Sequence, residues 1–164
     1  PYAYGFDDDT LESILGEKLI SKNITISTAE SCTGGLLGKR LTNSPGSSKY
    51  FCGGIIAYNN ELKIDLLGVS SNTLKKYGAV SDQTALEMAQ GIRKKTQTDI
   101  GISTTGISGP DGGSLSKPVG LVYIGIVTPE ISKVKKYAFQ IKRHIHREMT
   151  TTAALNIARL CLES

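Results

Sequence analysis

The chain is short of the residues on which most catalytic and structural devices rely. Its 164 residues include two histidines and three cysteines. Cys32, Cys52 and Cys161 are odd in number and lack close paired spacings, which argues against a zinc site or disulfide scaffold and for reduced thiols in a cytoplasmic protein. His144 and His146 share one basic segment, read as exposed, so a Ser-His-Asp triad is not expected. No apolar run approaches the ~20 residues of a membrane span, and the first residues carry no signal-like apolar stretch, so no membrane contact is expected. The glycines match neither the phosphate-loop pattern nor the three-glycine dinucleotide fingerprint. Basic residues number 19 against 15 acidic ones. They are scattered apart from Lys133–Lys136 and Lys142–Arg147, which gives no reason to expect a nucleic-acid partner.

The length is that of one domain with a core of ordinary size. Residues 1–9, PYAYGFDDD, read as a linker or the lead of a fragment, and residues 10–164 as the domain. Apolar spacing predicts a helix over Thr10–Lys22, a strand over Thr25–Ala29 and a short helix carrying Leu36, Leu37 and Leu41. A buried strand follows over Phe51–Tyr58. Next comes a helix capped by Asn59 or Asn60, with Leu62, Leu66 and Leu67 as its stripe and Lys63 in its first turn. Further helices are predicted over Ser71–Tyr77 and Ser81–Gln97, a strand over Asp99–Thr104, paired strands at Val119–Thr128 and Lys133–Ile141, and a last helix from about His144 to Leu162. Alternating helices and strands followed by a hairpin argue an α/β sandwich with a mixed sheet.

The stretch Ile24–Gly38 organises the rest. An extended segment delivers Glu30, Ser31, Cys32 and Thr33 to Gly34 and Gly35, where a helix opens, and the free N–H groups and dipole make a seat for an anion. A plain helix cap fits the same pattern. Two more polar loops leave predicted strands: Ser47–Ser48 with Tyr58–Lys63 nearby, and Thr104–Gly113, which includes Thr105, Gly106 and Gly109. Nucleophilic catalysis needs a hydroxyl, a base and donors for an oxyanion. With no triad, a Ser-Lys pair is the natural substitute, because a desolvated lysine becomes a neutral base near pH 7. Lys63 is the best-placed lysine, with Ser48 or Ser31 as nucleophile, and Cys32 a further candidate if its helix-start position lowers its pKa. The bland alternatives are a solvated Lys63, turn serines at Ser47 and Ser48, a rim aromatic at Tyr58, and a solvated face at Arg143 and Arg147.

The strings TAESCTGG (Thr28–Gly35), PGSS with YNNELKIDLLGV (Pro45–Val69), YGAVS (Tyr77–Ser81) and TTGISGPDGGSLSKPVGLVYIG (Thr104–Gly125) resemble the CinA C-terminal domain family. Its standalone members include bacterial nicotinamide mononucleotide deamidases. The likeness runs from about Leu11 to Leu162. It implies a three-layer α/β/α sandwich with a mixed, largely parallel sheet, no cofactor or metal, and a homo-oligomer. It also implies hydrolysis of the carboxamide of nicotinamide mononucleotide to nicotinic acid mononucleotide and ammonia. Position by position, Ser48 matches the nucleophile, Lys63 the lysine that activates it and Tyr58 the tyrosine beside them, with Ser31 and Thr105 lining the pocket. Arg147 matches the arginine of the last helix, and Arg147 or Arg143 is the expected cation for the phosphate, together with Glu30, Thr33, Gly34, Gly35, Gly106 and Gly109. The chain departs from the family at Ile141-Lys142-Arg143-His144, where a glycine tends to precede an acidic-basic pair. The Asp-rich lead resembles the connector of two-domain CinA proteins, which places a nucleotide pyrophosphatase domain ahead of this one. A non-catalytic nucleotide-binding or interaction module is the rival expectation.

Overall fold

Hydroxyl and amide side chains set where four of the six described α-helices begin. The computed structural model describes residues 9–163, so the expected lead over residues 1–9 lies outside them except for Asp9. Thr10 and Ser13 form a reciprocal capping box on α1 (Leu11–Ser21). Strand β1 (Ile26–Glu30) leads to α2 (Leu36–Leu41), and a 3-10 turn at Ser47–Lys49 precedes β2 (Phe51–Ile56). Asn59 caps α3 (Asn60–Leu67), Ser70 caps α4 (Ser71–Tyr77) and Ser81 caps α5 (Asp82–Thr96). The chain continues through β3 (Ile100–Gly106), β4 (Leu121–Val127) and β5 (Ser132–Ala138), and α6 (Arg143–Cys161) closes it.

The five strands lie in the order β2-β1-β3-β4-β5. β1 pairs in parallel with both β2 and β3, whereas β4 is antiparallel to β3 and β5 to β4. The sheet is therefore mixed, with half of its pairings parallel rather than most of them. Residues 128–131 are too few to cross over between β4 and β5, so that pair has to be a hairpin.

Strand alternation divides the core in two. Ile26, Ile100, Ile102, Val122, Ile124 and Ile126 face α1, α2 and α6, where they meet Leu15, Leu37, Leu41, Ala154 and Ala158. The opposite face carries Ala29, with Met88 and Ile92 of α5 and Leu67 of α3. Three layers result, as expected. α5 lies close on the sheet because Gly101 and Gly125 present no side chain: a Cβ on either would fall 2.3 and 2.5 Å from the carbonyl oxygens of Ala89 and Ala85.

Two expectations are corrected. β2 is an edge strand, half-buried in alternation, not a buried one. Its apolar run accompanies close contact with β1, since a Cβ on Gly54 would lie 2.2 Å from Thr28 Oγ1. In α3 the buried positions are Lys63 and Leu67, while Leu62 and Leu66 are exposed. The helix has rotated to put an amine, not a leucine stripe, inside.

α3 is seated on α5 at Gly91, where a Cβ would stand 1.8 Å from the Leu67 carbonyl oxygen. Gly91→Ala is expected to lower stability by about 2–4 kcal/mol, read as a reduced urea midpoint with unchanged slope.

Candidate functional site

The C-terminal ends of β1, β2 and β3 open on one edge of the sheet, where ligands sit in open α/β folds. A cavity of about 270 Å³ lies there, walled by Ser31, Lys63, Thr105, Ser108 and Arg143, with Tyr58 at its rim.

Ser31 follows β1 directly and continues its pairing, its N–H donating to the Thr104 carbonyl at 2.9 Å. The chain then turns through Gly34 and Gly35, both at positive φ. Gly35 caps α2 without a side chain. Glu30, buried behind the turn, supplies the missing acceptor: its carboxylate takes the N–H groups of Gly35 at 2.9 Å, Leu37 at 3.0 Å and Gly38 at 2.8 Å, and the Thr33 hydroxyl at 2.6 Å. The seat expected for a ligand anion is thus filled by the protein's own carboxylate. Glu30, Thr33 and Gly35 are engaged in this cap, and the Gly34 N–H is bonded to the Ser31 carbonyl. These four are corrected from phosphate ligands to the frame that holds Ser31.

Lys63 reaches the cavity floor from the second turn of α3, and only 1% of it is exposed. Its Nζ lies 2.7 Å from the Ala57 carbonyl, 3.2 Å from that of Tyr58, 3.4 Å from that of Asn59 and 3.1 Å from Ser31 Oγ. Burial pushes its pKa down to about 8, and the neighbouring Cys32 opposes the shift. Of the two fates open to this lysine, the structure takes the desolvated one. A neutral amine has two protons and one lone pair. The carbonyls only accept, so they take the protons, and Ser31 alone has a proton to give the lone pair.

The other expected residues divide. Thr105, Gly106 and Gly109 line the cavity, and the Thr105 hydroxyl donates to the Ala79 carbonyl at 2.7 Å. Tyr58 stands at the mouth, its side chain exposed, and its Oη accepts from Arg143 Nη2 at 2.8 Å. Ser48 is not brought to Lys63. It lies exposed in the turn before β2, whereas Lys63 follows β2, so the whole strand separates them. Arg147 donates to the Thr33 carbonyl at 2.7 Å, outside the cavity wall, and Arg143 takes its place there, bridging Tyr58 and the Gly109 carbonyl. Cys32 is no nucleophile: burial first, and the Glu30 charge as well, push its thiol up to about 12.

A model of the CinA C-terminal domain matches residues 8–162. The chain belongs to that family. A protein of Clostridium tetani bearing the name competence-damage inducible protein is 53% identical over 95% of this chain, and one of Halothermothrix orenii is 52% identical over 93%. The chain spans only 38% and 37% of the length of those two relatives. Among solved structures, the competence/damage inducible protein CihA of Agrobacterium tumefaciens is 36% identical, with a TM-score of 0.85 over 98% of this chain and 99% of its own. A competence or damage-inducible protein of Enterobacter asburiae is 31% identical, with a TM-score of 0.89 over 93% and 96%.

This CinA domain also contains groups that sequence reasoning passed over. His146 is fully buried, not exposed, and its ring bridges Ser108 Oγ at 3.0 Å and the Gly120 carbonyl at 3.1 Å. Its spacing was the available signal: His146, Thr150 and Ala154 fall four apart on the buried stripe of α6. Among the described residues no group of histidine, cysteine and carboxylate side chains stands where it could hold a metal, and no helix is long and apolar enough to cross a membrane.

Glu30→Gln replaces an acceptor-only group by one that presents N–H to the α2 cap. It should lower stability by about 2–3 kcal/mol in urea unfolding. The buried amine predicts a pH signature of its own. Lys63 releases its proton near pH 8 in the folded chain but near its ordinary value of 10.5 when unfolded. The unfolded state therefore binds more protons between those limits, and stability relative to Lys63→Met should be flat below pH 8 and rise above it.

Proposed function

We propose that this CinA domain is an amide hydrolase acting on nicotinamide mononucleotide, with Ser31 as nucleophile and Lys63 as its base. The observation that carries the reading is the buried Lys63 amine, held by backbone carbonyls with Ser31 Oγ 3.1 Å away. Neutral Lys63 takes the Ser31 proton as Oγ attacks the carboxamide carbon. The ammonium so formed returns that proton to the departing nitrogen, and ammonia leaves. Water, deprotonated by the same amine, then cleaves the acyl-enzyme to give the acid and free Ser31.

The permanent pyridinium charge withdraws electrons from the amide and eases attack. Because the N–H groups of Gly34 and Gly35 are already bonded, the loop from Gly106 to Gly113 is the source of oxyanion donors. Arg143, at the mouth and outside the ion pairs seen among the described residues, is the cation for the ribose phosphate. Arg147 supports the turn from behind. The reading includes a homo-oligomeric, cytoplasmic protein. It also includes a nucleotide pyrophosphatase domain in the remainder of the longer chain, by analogy with the length of the relatives.

Ammonia release from nicotinamide mononucleotide tests the assignment. Ser31→Ala and Lys63→Met should each lower kcat/KM by about a thousandfold or more, while Ser48→Ala stays within about twofold of wild type. In the wild type, kcat/KM should climb with pH and level off above the Lys63 value of about 8, because only the neutral amine is a base. Nucleotide binding without ammonia release would overturn the reading in favour of a binding module.

A further inference from the structure

The hydroxyls of the cavity wall differ from ordinary hydroxyls in where their protons point. The Thr105 hydroxyl donates to the Ala79 carbonyl at 2.7 Å, so it has only lone pairs left for a ligand. Ser108 is constrained in the same way through a second residue. His146 Nε2 lies 3.1 Å from the Gly120 carbonyl, which accepts only, so that nitrogen carries the hydrogen. Nδ1 of the neutral ring is then bare, and it accepts from the Ser108 hydroxyl at 3.0 Å.

The surroundings keep the ring neutral. It is buried, Phe139 meets it edge-on at 6.0 Å between ring centres, and the nearby Arg143 charge disfavours a second cation. Burial leads the downward pull on its pKa, against the Gly120 contact. The Asp111 carboxylate, an acceptor as well, lies on the same cavity.

We infer that Ser108, oriented by His146, together with Thr105, forms an acceptor wall that reads the N–H2 of the substrate carboxamide and rejects the product carboxylate. The inference rests on the amide-hydrolase reading. An amide nitrogen offers two donors to these oxygens, whereas the product acid offers oxygens alone and meets lone pairs. The wall therefore discriminates at the one point where substrate and product differ, and it favours release of the acid once ammonia has gone. His146 is a positioning residue here: it touches Ser108 and acts through it.

The test compares KM for nicotinamide mononucleotide with the inhibition constant of nicotinic acid mononucleotide, both read from ammonia release. In the wild type the acid should bind about tenfold or more weakly than the amide. Ser108→Ala should shrink that ratio about tenfold. His146→Gln should keep the wild-type ratio, because its amide can accept from Ser108 and donate to Gly120. His146→Leu, which frees the Ser108 proton to point into the cavity, should lose it. An unchanged ratio in Ser108→Ala, equal loss of both nucleotides, or identical behaviour of His146→Gln and His146→Leu would overturn the inference. A wild-type protein that releases no ammonia fails at the first step, and that removes the underlying amide-hydrolase reading, distinct from any failure confined to the variants.

Discussion

A lysine amine without water is the constraint around which this edge of the sheet is arranged. Removing an ammonium from water is costly, and neutral carbonyls repay only part of that cost, so the uncharged form gains. The three carbonyls that surround Lys63 belong to Ala57, Tyr58 and Asn59, where β2 ends and α3 begins. The Asn59 carbonyl also accepts the backbone N–H of Lys63, whereas those of Ala57 and Tyr58 fall between the strand ladder and the helix and take the amine as their donor. Lys63 and the corner thus depend on each other: the corner needs a buried donor, and the buried donor needs acceptors close by.

The other half of the site follows from strand geometry. Successive residues of an extended chain point to opposite faces. At the end of β1 this sends Glu30 towards α2, where its carboxylate caps the helix, and Ser31 towards Lys63 on the other side. One residue fixes the turn and the next carries the hydroxyl. The cap is anionic and internal, so the turn is rigid without any ligand, and Ser31 is held by both its backbone bond to Thr104 and the engaged turn behind it. On the far face Gly91, Gly101 and Gly125 let α5 approach closely, and α5 in turn seats the end of α3 and therefore Lys63.

Much of this was legible in the sequence, and the limits have physical causes. The Asn59 cap, the Gly68 stop and the polar loop after β1 follow from local rules, and they put Lys63 near the start of α3, whereas Thr105 and Gly106, read as the start of a loop, extend β3. Ser48 was expected beside Lys63 because a turn before a strand and a turn after it look alike until the direction of the strand relative to the site is known. Glu30 misled because a carboxylate beside a glycine turn fits a ligand site and an internal cap equally well. The signal against a ligand was its own charge, which would repel a second anion. Leu62 and Leu66 drew the stripe of α3 to the wrong side, since periodicity weighs leucine above lysine, whereas the unsatisfied carbonyls at the corner weigh the reverse. His146 was masked by its basic neighbours, although its place on the helical stripe was written in the spacing.

Desolvation also acts on the groups that neighbour Ser31. Burial favours the neutral form of every titrating group, but neutrality has opposite consequences for an amine and a thiol. Lys63 releases its proton earlier, near pH 8, and carries a free lone pair above that. Cys32 keeps its proton and becomes inert, pushed up to about 12 by the same dry surroundings and by Glu30. A serine suffers neither fate, because its hydroxyl is neutral throughout and loses its proton only as the bond to carbon forms. It is the Ser31 hydroxyl that stands within hydrogen-bond distance of that amine, and the amide-hydrolase reading takes the hydroxyl as its nucleophile for that reason.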